Sequence, residues 1–565
     1  MIRLITSWLA SLVLGMLVVG PLAALGVCAL VDVGPDGTTR ASLFPAAVAV
    51  LDPFVWTTLR HSATVAGIAS LAAIVGGTIV GRAVGESGGP SRLAAVVVLG
   101  LAAASPPYLI ALGASAWLDV GGSSAWGRLA LGSRWLPVDP GWAAWTAAAS
   151  VPAAALGALV YLQALDALGG SWRDAAALAG GGRVGRWRRL AWPSLRPAMA
   201  RAGAWTFAIT LADPGPPLLL DLRRTLGSRM VLAATGDAPF PALATLALAA
   251  ILTVAAWRAV LRLWSGRDRG GAAVAREARL RAPASWPRAV AAGSVAAGFG
   301  GFVMAAMVGL GMVGWEAGAD AAARRSLATD PEMTGVVVRS LLLGLGAAAL
   351  TTASDRWVAR LEAAAGTAAA GRFRRLARLA APPPLVAGVV VLALGRLLTL
   401  AAAAGWIGAS PAVPYLAGDR APLVAATLAV WLAVATTRID RRPLGTAEAD
   451  AAAGRRFDAA VLAGARRGSA RRLARAAGFA GEGRRDFATT FAAAAVALAP
   501  TVLIASSATI ATVGPGVLLY RERPGLGAAF AATLGVIAWA VALATGPTAA
   551  ATNSSRTSAS AERTG

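Results

Sequence analysis

Apolar residues in this chain run in long unbroken blocks rather than alternating with polar ones. A helix needs about 20 such residues to cross roughly 30 Å of hydrocarbon while keeping its backbone hydrogen bonds within itself. Six blocks meet that need without a charged residue: Leu4–Val31, Ser62–Gly81, Leu93–Leu118, Gly141–Leu165, Ala238–Trp257 and Ala289–Trp315. Others interrupt the apolar run with charge or polar residues, or are short: Met199–Leu220 (with Arg201 and Asp213), Met333–Ser354 (Arg339), Ala380–Ala403 (Arg396), Ala421–Thr437, Phe487–Ser507 and Leu526–Thr548. The pattern predicts an all-α membrane protein of about twelve transmembrane helices. Arg3 precedes the first block as in a signal peptide, and Leu25-Gly26-Val27-Cys28 faintly resembles a lipoprotein cleavage box. That block is far longer than the roughly 7–15 apolar residues of a signal sequence, and Val27 is bulky for a cleavage site, so it is expected to stay as the first helix.

Composition agrees with the blocks. Only 14% of residues are charged, against roughly a quarter in soluble chains. The formal charge of +24 comes entirely from arginine among the basic residues, since the sequence has no lysine. With the N-terminus inside, most arginines fall in alternate connections and in the tail, all on the cytoplasmic side, while the acids divide evenly. Such an imbalance orients a bacterial inner-membrane protein with both termini in the cytoplasm. Anionic lipid headgroups then suffice as partners for the arginines, and no nucleic acid is required. Trp8, Trp56, Trp142, Trp257, Trp315 and Trp431 fall near block ends, as an aromatic belt would place them. One cysteine, Cys28, and one histidine, His61, exclude an intramolecular disulfide and a cysteine-based metal centre. His61 is expected as a polar residue at a membrane interface.

The chain also repeats itself. Asp174-Ala175-Ala176-Ala177-Leu178-Ala179-Gly180 follows the fourth block, and Asp458-Ala459-Ala460-Val461-Leu462-Ala463-Gly464 follows the tenth, about half the chain length later. An even number of spans duplicated in tandem gives two parallel six-helix repeats about an axis along the membrane normal. The expected division is a first half over 1–265, a basic cytoplasmic linker over 266–288, a second half over 289–550, and a disordered tail over 551–565.

After nine intervening residues, Gly180 is followed by Leu190-Ala191-Trp192-Pro193. The whole stretch from Asp174 resembles the cytoplasmic EAA loop of binding-protein-dependent ATP-binding-cassette permeases: Glu-Ala-Ala, three residues, Gly, nine residues, Ile-x-Leu-Pro. Asp stands for Glu, Leu for Ile and Trp for Leu, and every spacing is kept. Pro106-Pro107-Tyr108 is similar to a further signature of that family, and Phe207–Asp213 with Pro216-Pro217 to its fifth span. The second copy ends in Ala474-Arg475-Ala476-Ala477 and lacks the proline, which leaves its docking open.

The resemblance implies the fold of a type I importer permease, with Asp174, Ala175, Ala176, Gly180, Leu190 and Pro193 coupling the chain to an ATPase. Asp458, Ala459, Ala460 and Gly464 would do so for the second half. It implies a nucleotide-binding ATPase dimer and a periplasmic or extracellular solute-binding protein as partners. ATP and magnesium would sit on the ATPase, and this chain would bind no cofactor. Two fused halves are similar to ferric-iron and thiamine permeases, with iron the nearer; phosphonates and polyamines stay open as substrates.

The residue types suit a coupler. Alanines let a short helix pack closely, glycine turns where a Cβ would be penalised, and proline is tolerated in a helix's first turn. A Walker loop needs a lysine, and there is none, so hydrolysis is expected on a separate subunit rather than on this chain. The alternative is a twelve-span secondary transporter of the major-facilitator type, whose typical loop after the second span does not fit Gly81-Arg82-Ala83-Val84-Gly85-Glu86. A membrane enzyme would need clustered acids or a metal site, and neither is visible. Asp213 is expected as a helix-end or pore-rim residue rather than a substrate contact, and Arg396 as snorkelling or paired.

Overall fold

A computed structural model describes residues 20, 22–33, 39–87, 89–118, 140–167, 187–235, 240–266, 286–318, 331–365, 383–403 and 422–441, with 536 and 540 as single positions. Nearly all of them are helical. A short helix, α1 (22–30), leads into a small antiparallel ribbon of Val31–Val33 (β1) with Thr39–Ala41 (β2), then α2 (Phe44–Leu51). The first long span is α3 (Pro53–Leu71), joined through a π turn at Ala72–Gly76 to α4 (Gly77–Glu86). Asp52 starts it: its Oδ1 accepts from the Phe54 N–H at 2.9 Å, and Pro53 takes the first helical position, where no N–H is missed.

The remaining helices are α5 (Gly89–Ala104), α6 (Pro107–Leu118), α7 (Pro140–Ala167), α8 (Trp192–Leu211), α9 (Gly215–Leu219), α10 (Leu226–Thr235), α11 (Phe240–Ser265), α12 (Trp286–Gly318), α13 (Pro331–Ala365), α14 (Pro384–Ala403) and α15 (Pro422–Arg441). Among the described residues four helices are long and apolar enough to cross a membrane: Pro53–Glu86, Gly141–Leu165, Phe240–Ser265 and Trp286–Gly311. The chain is thus a helical, membrane-embedded protein. Shorter apolar stretches lie at Val338–Ser354, Pro384–Leu398 and Leu423–Val434. The expected blocks Phe487–Ser507 and Leu526–Thr548 lie outside the described residues, apart from positions 536 and 540.

Two expected spans are not straight helices. Leu93–Leu118 is broken at Ser105-Pro106, where Pro90–Ala104 and Pro107–Ala114 meet at 89°. Proline supplies no N–H and disfavours helical backbone in the residue before it. Met199–Leu220 ends as a helix at Leu211, and Ala212–Pro214 separates it from α9 for the same reason.

Helix α7 is the hub, packed by α3, α4, α5, α6 and α8. Its contact with the π turn and α4 uses glycine on both sides. A Cβ on Gly77 would fall 2.6 Å from the Gly157 carbonyl carbon, and one on Gly157 would collide with the Ala73 carbonyl oxygen. Lipid tails are as apolar as the side chains, so close backbone approach of this kind supplies the dispersion that joins helices in a membrane.

The two ends of the described chain exchange packing. Ala24, Leu25 and Cys28 of α1 share a core with Val386, Val389 and Ala393 of α14, and the Cys28 Sγ lies 3.6 Å from the Ala393 carbonyl oxygen. Helix α12 in turn lies along α5 and α6, where Gly113 admits the Ala306 backbone. Both α6 and α14 begin at the last residue of a proline run, Pro106-Pro107 and Pro382-Pro383-Pro384. In each the carbonyl of the proline just before the helix accepts from the fourth residue on, Pro106 from Ile110 at 3.3 Å and Pro383 from Ala387 at 3.2 Å.

Candidate coupling site

Of the residues expected to couple, Leu190 and Pro193 are described. Asp174, Ala175, Ala176, Gly180, Asp458, Ala459, Ala460 and Gly464 lie outside the described residues. Leu190 belongs to a π turn, Trp187–Ala191, which runs straight into α8, and Pro193 is the second residue of that helix and exposed. A proline ring clashes with the carbonyl four residues earlier in regular helix. Widening the preceding turn is a recognised way to absorb such a misfit.

Three helix ends converge on this segment. The Trp187 Nε1–H donates to the Tyr161 hydroxyl near the end of α7 at 3.0 Å, and Tyr161 is 1% exposed. From α4, the Arg82 guanidinium stands 5.1 Å from the Trp187 ring centre, while its Nε–H donates to Glu86 Oε1 at 3.3 Å. Trp187 and Trp192 lie 5.2 Å apart, and Trp192 meets Trp264 of α11 edge-on at 6.1 Å. Arg196 stands 4.6 Å over the Trp264 ring. Beneath these rings Ile74, Leu165, Ala191, Leu195 and Met199 form a buried apolar floor. The segment that leaves the Asp174 loop is therefore fastened to the ends of α4, α7 and α11 at one end of the bundle.

Comparison with models of known protein families gives no match, and comparison with curated proteins gives none.

A second polar region lies at the two helix breaks. Ser105 is buried and its hydroxyl donates to the Leu101 carbonyl at 2.8 Å. Tyr108, 3% exposed, lies in the first turn of α6. Asp213 is buried at the end of α8, and its Oδ1 accepts from the Gly215 N–H at 3.0 Å. That bond closes the turn from Ala212 to Pro214 that leads into α9, a helix-end role. Nearby, the Leu226 N–H donates to Ser62 at 2.8 Å, and Thr225 and Ser228 bond to one another at 2.9 Å. Irregular backbone at membrane depth is tolerated where protein or a water-filled path satisfies it.

Several side chains depart from the belt and surface roles. The Trp257 Nε1–H donates to Ser70 at 3.0 Å and its ring stacks on Phe207 at 4.9 Å, so it joins helices within the bundle instead of marking a block end. Trp431 likewise donates to Ser354 at 3.1 Å. Arg396 is paired through the Phe240 ring, 4.1 Å away. His61 is half-buried and meets Trp142 edge-on at 5.1 Å. Sequence reading missed Trp187, Trp264, Arg82 and Tyr161 at the coupling segment. Of their contacts only the Arg82–Glu86 pair, four residues apart on one helix, had a local signal.

Proposed function

We propose that the chain is the membrane-spanning permease of an ATP-driven solute importer in the bacterial inner membrane. One observation carries the reading: the Leu190–Pro193 segment, which keeps the spacing of an ATPase-coupling loop, is fastened by Trp187 and Trp192 to the ends of three membrane helices. A push on that segment reaches α4, α7 and α11 through rings and hydrogen bonds rather than through a flexible tether. The exchange of α1 and α12 between the two ends of the chain, and the shared Pro-Pro starts of α6 and α14, support a twofold arrangement of two six-span halves. The broken helices around Tyr108 and Asp213 supply polar groups inside the bundle, where solute could pass. The family resemblance makes ferric iron the nearest substrate class.

The test is uptake into vesicles that hold the chain with its ATPase and binding protein, identified by crosslinking from a cysteine at Pro193 in native membranes. The reading expects capture of a nucleotide-binding subunit and uptake that requires ATP. Uptake driven by a proton gradient without ATP would overturn it in favour of a secondary transporter.

A further inference from the structure

The structure points to a site for an anionic phospholipid headgroup at the junction of α8 and α11, and we propose that Arg196 holds its phosphate. This rests on membrane embedding alone, independently of the transport reading. Arg196 is half-buried between two helices, over the ring of Trp264 and close to Trp192. Among the described residues its Nε is shielded from water without a hydrogen-bond acceptor, and no carboxylate pairs with it. A partly desolvated cation without a counter-charge is costly, and an anion brought alongside removes that cost. Guanidinium is suited to phosphate because its planar fork can give two parallel N–H bonds. Arg188, exposed one turn before Trp192, adds positive charge on the same segment.

The surroundings select a lipid over free phosphate. Leu252, Ala256, Val260 and Leu263 are exposed along one stripe of α11, and Leu263 is 85% exposed. Trp264 lies one turn beyond Val260, so the stripe runs from the hydrocarbon level to the ring beneath Arg196. An acyl chain laid on that stripe puts its phosphate at the guanidinium, with tryptophan at headgroup depth, where its apolar ring and polar N–H are both accommodated. Basic pockets between membrane helices are chemically matched to acidic headgroups.

The test is native mass spectrometry of the full chain released from detergent, titrated with phosphatidylglycerol, with phosphatidylcholine of the same chains, or with inorganic phosphate. Phosphatidylglycerol is expected to bind about tenfold more tightly than phosphatidylcholine, because the two share the phosphate but the choline cation of the latter opposes the guanidinium. Arg196→Gln should erase that preference. Arg262→Gln, which removes an exposed charge from the same end of α11, should keep it. Val260→Ser with Leu263→Ser should weaken phosphatidylglycerol and leave inorganic phosphate unchanged. Equal loss in Arg196→Gln and Arg262→Gln would reduce the effect to general surface charge and overturn the site. Inorganic phosphate binding as tightly as the lipid would overturn the lipid assignment. Arg196→Lys, which keeps charge and bulk, guards against misfolding and should fall between wild type and the glutamine variant. No preference for phosphatidylglycerol in the wild-type chain would also overturn the proposal.

Discussion

At the scale of single residues, the tightest constraint is where backbones touch. Gly77 and Gly67 lie on the same long span, yet a Cβ at Gly77 meets the Gly157 backbone and one at Gly67 meets nothing within 4 Å. Gly77→Ala is therefore expected to cost about 1–3 kcal/mol through overpacking. Gly67→Ala should be neutral or slightly stabilising, since alanine is the better helix former. Thermal unfolding of the two variants in one detergent decides the point, and equal midpoints would mean that α4 and α7 do not touch at glycine. Trp187→Phe keeps the ring under Arg82 but drops the hydrogen bond to Tyr161. A loss of about 1 kcal/mol is expected from that bond alone, and the same unfolding experiment measures it.

Among the elements, the proposed coupling role falls on the segment from Trp187 to Leu211. Trp187→Ala removes the ring that joins α4 and α7 to it, so ATP-dependent uptake should fall several-fold at matched expression. Trp56→Ala, at an exposed ring, should leave uptake unchanged. A larger loss from the exposed ring would sink the coupling role. The two loops should also differ, because the first keeps Pro193 and the second has no proline. Gly180→Val should abolish uptake and Gly464→Val reduce it less, with a cost of order 1–3 kcal/mol wherever the glycine has positive φ. Equal mild effects would mean neither loop couples.

The helices themselves were legible because uncharged length is a one-dimensional property: Gly141–Leu165 is both a block in the sequence and a membrane-length helix. The bend at Ser105-Pro106 was not, since an apolar block reads the same whether its helix is straight or folded by 89°. Pro106-Pro107 was visible, but its consequence depends on whether α7 and α12 pack against both arms. At the candidate coupling segment, Leu190 and Pro193 came from the resemblance of their motif to a permease loop. Trp187 and Trp264 did not, because their contacts join residues from different helices and leave no periodic trace. Trp257 was misplaced for the same reason: depth in the bundle is set by its neighbour Ser70, far away in sequence.

For the whole molecule, sidedness is the first thing to measure. In a Cys28→Ser background, single cysteines at Gly180 and Gly464 should resist an impermeant thiol reagent in intact cells, and one at Asp237 should react. Labelling at either glycine position would overturn the inside placement of both loops. The meeting of the chain's two ends is testable with the native thiol. Ala393→Cys should crosslink to Cys28 through a short bis-thiol reagent, while a cysteine at exposed Leu394 should do so more weakly. Absence of any crosslink in the first variant would remove α1 from α14.

That meeting sets a timetable for synthesis. Cys28 and Ala393 are 365 residues apart, and ribosomes add about 5–20 residues per second. Helix α1 therefore waits roughly 20–70 s after its own translation before α14 exists to cover it. During that interval the part of its packing face that α14 covers, around Cys28, rests against lipid or against the insertion machinery, while α3, α6, α8 and α11 of the same core are already made. The small, weakly polar face is well suited to the delay, because it carries no charge that the bilayer would reject and little bulk that would seize a wrong partner. Assembly of the two ends is a late event, and a nascent chain stalled before α14 would leave the Cys28 side of its first helix uncovered.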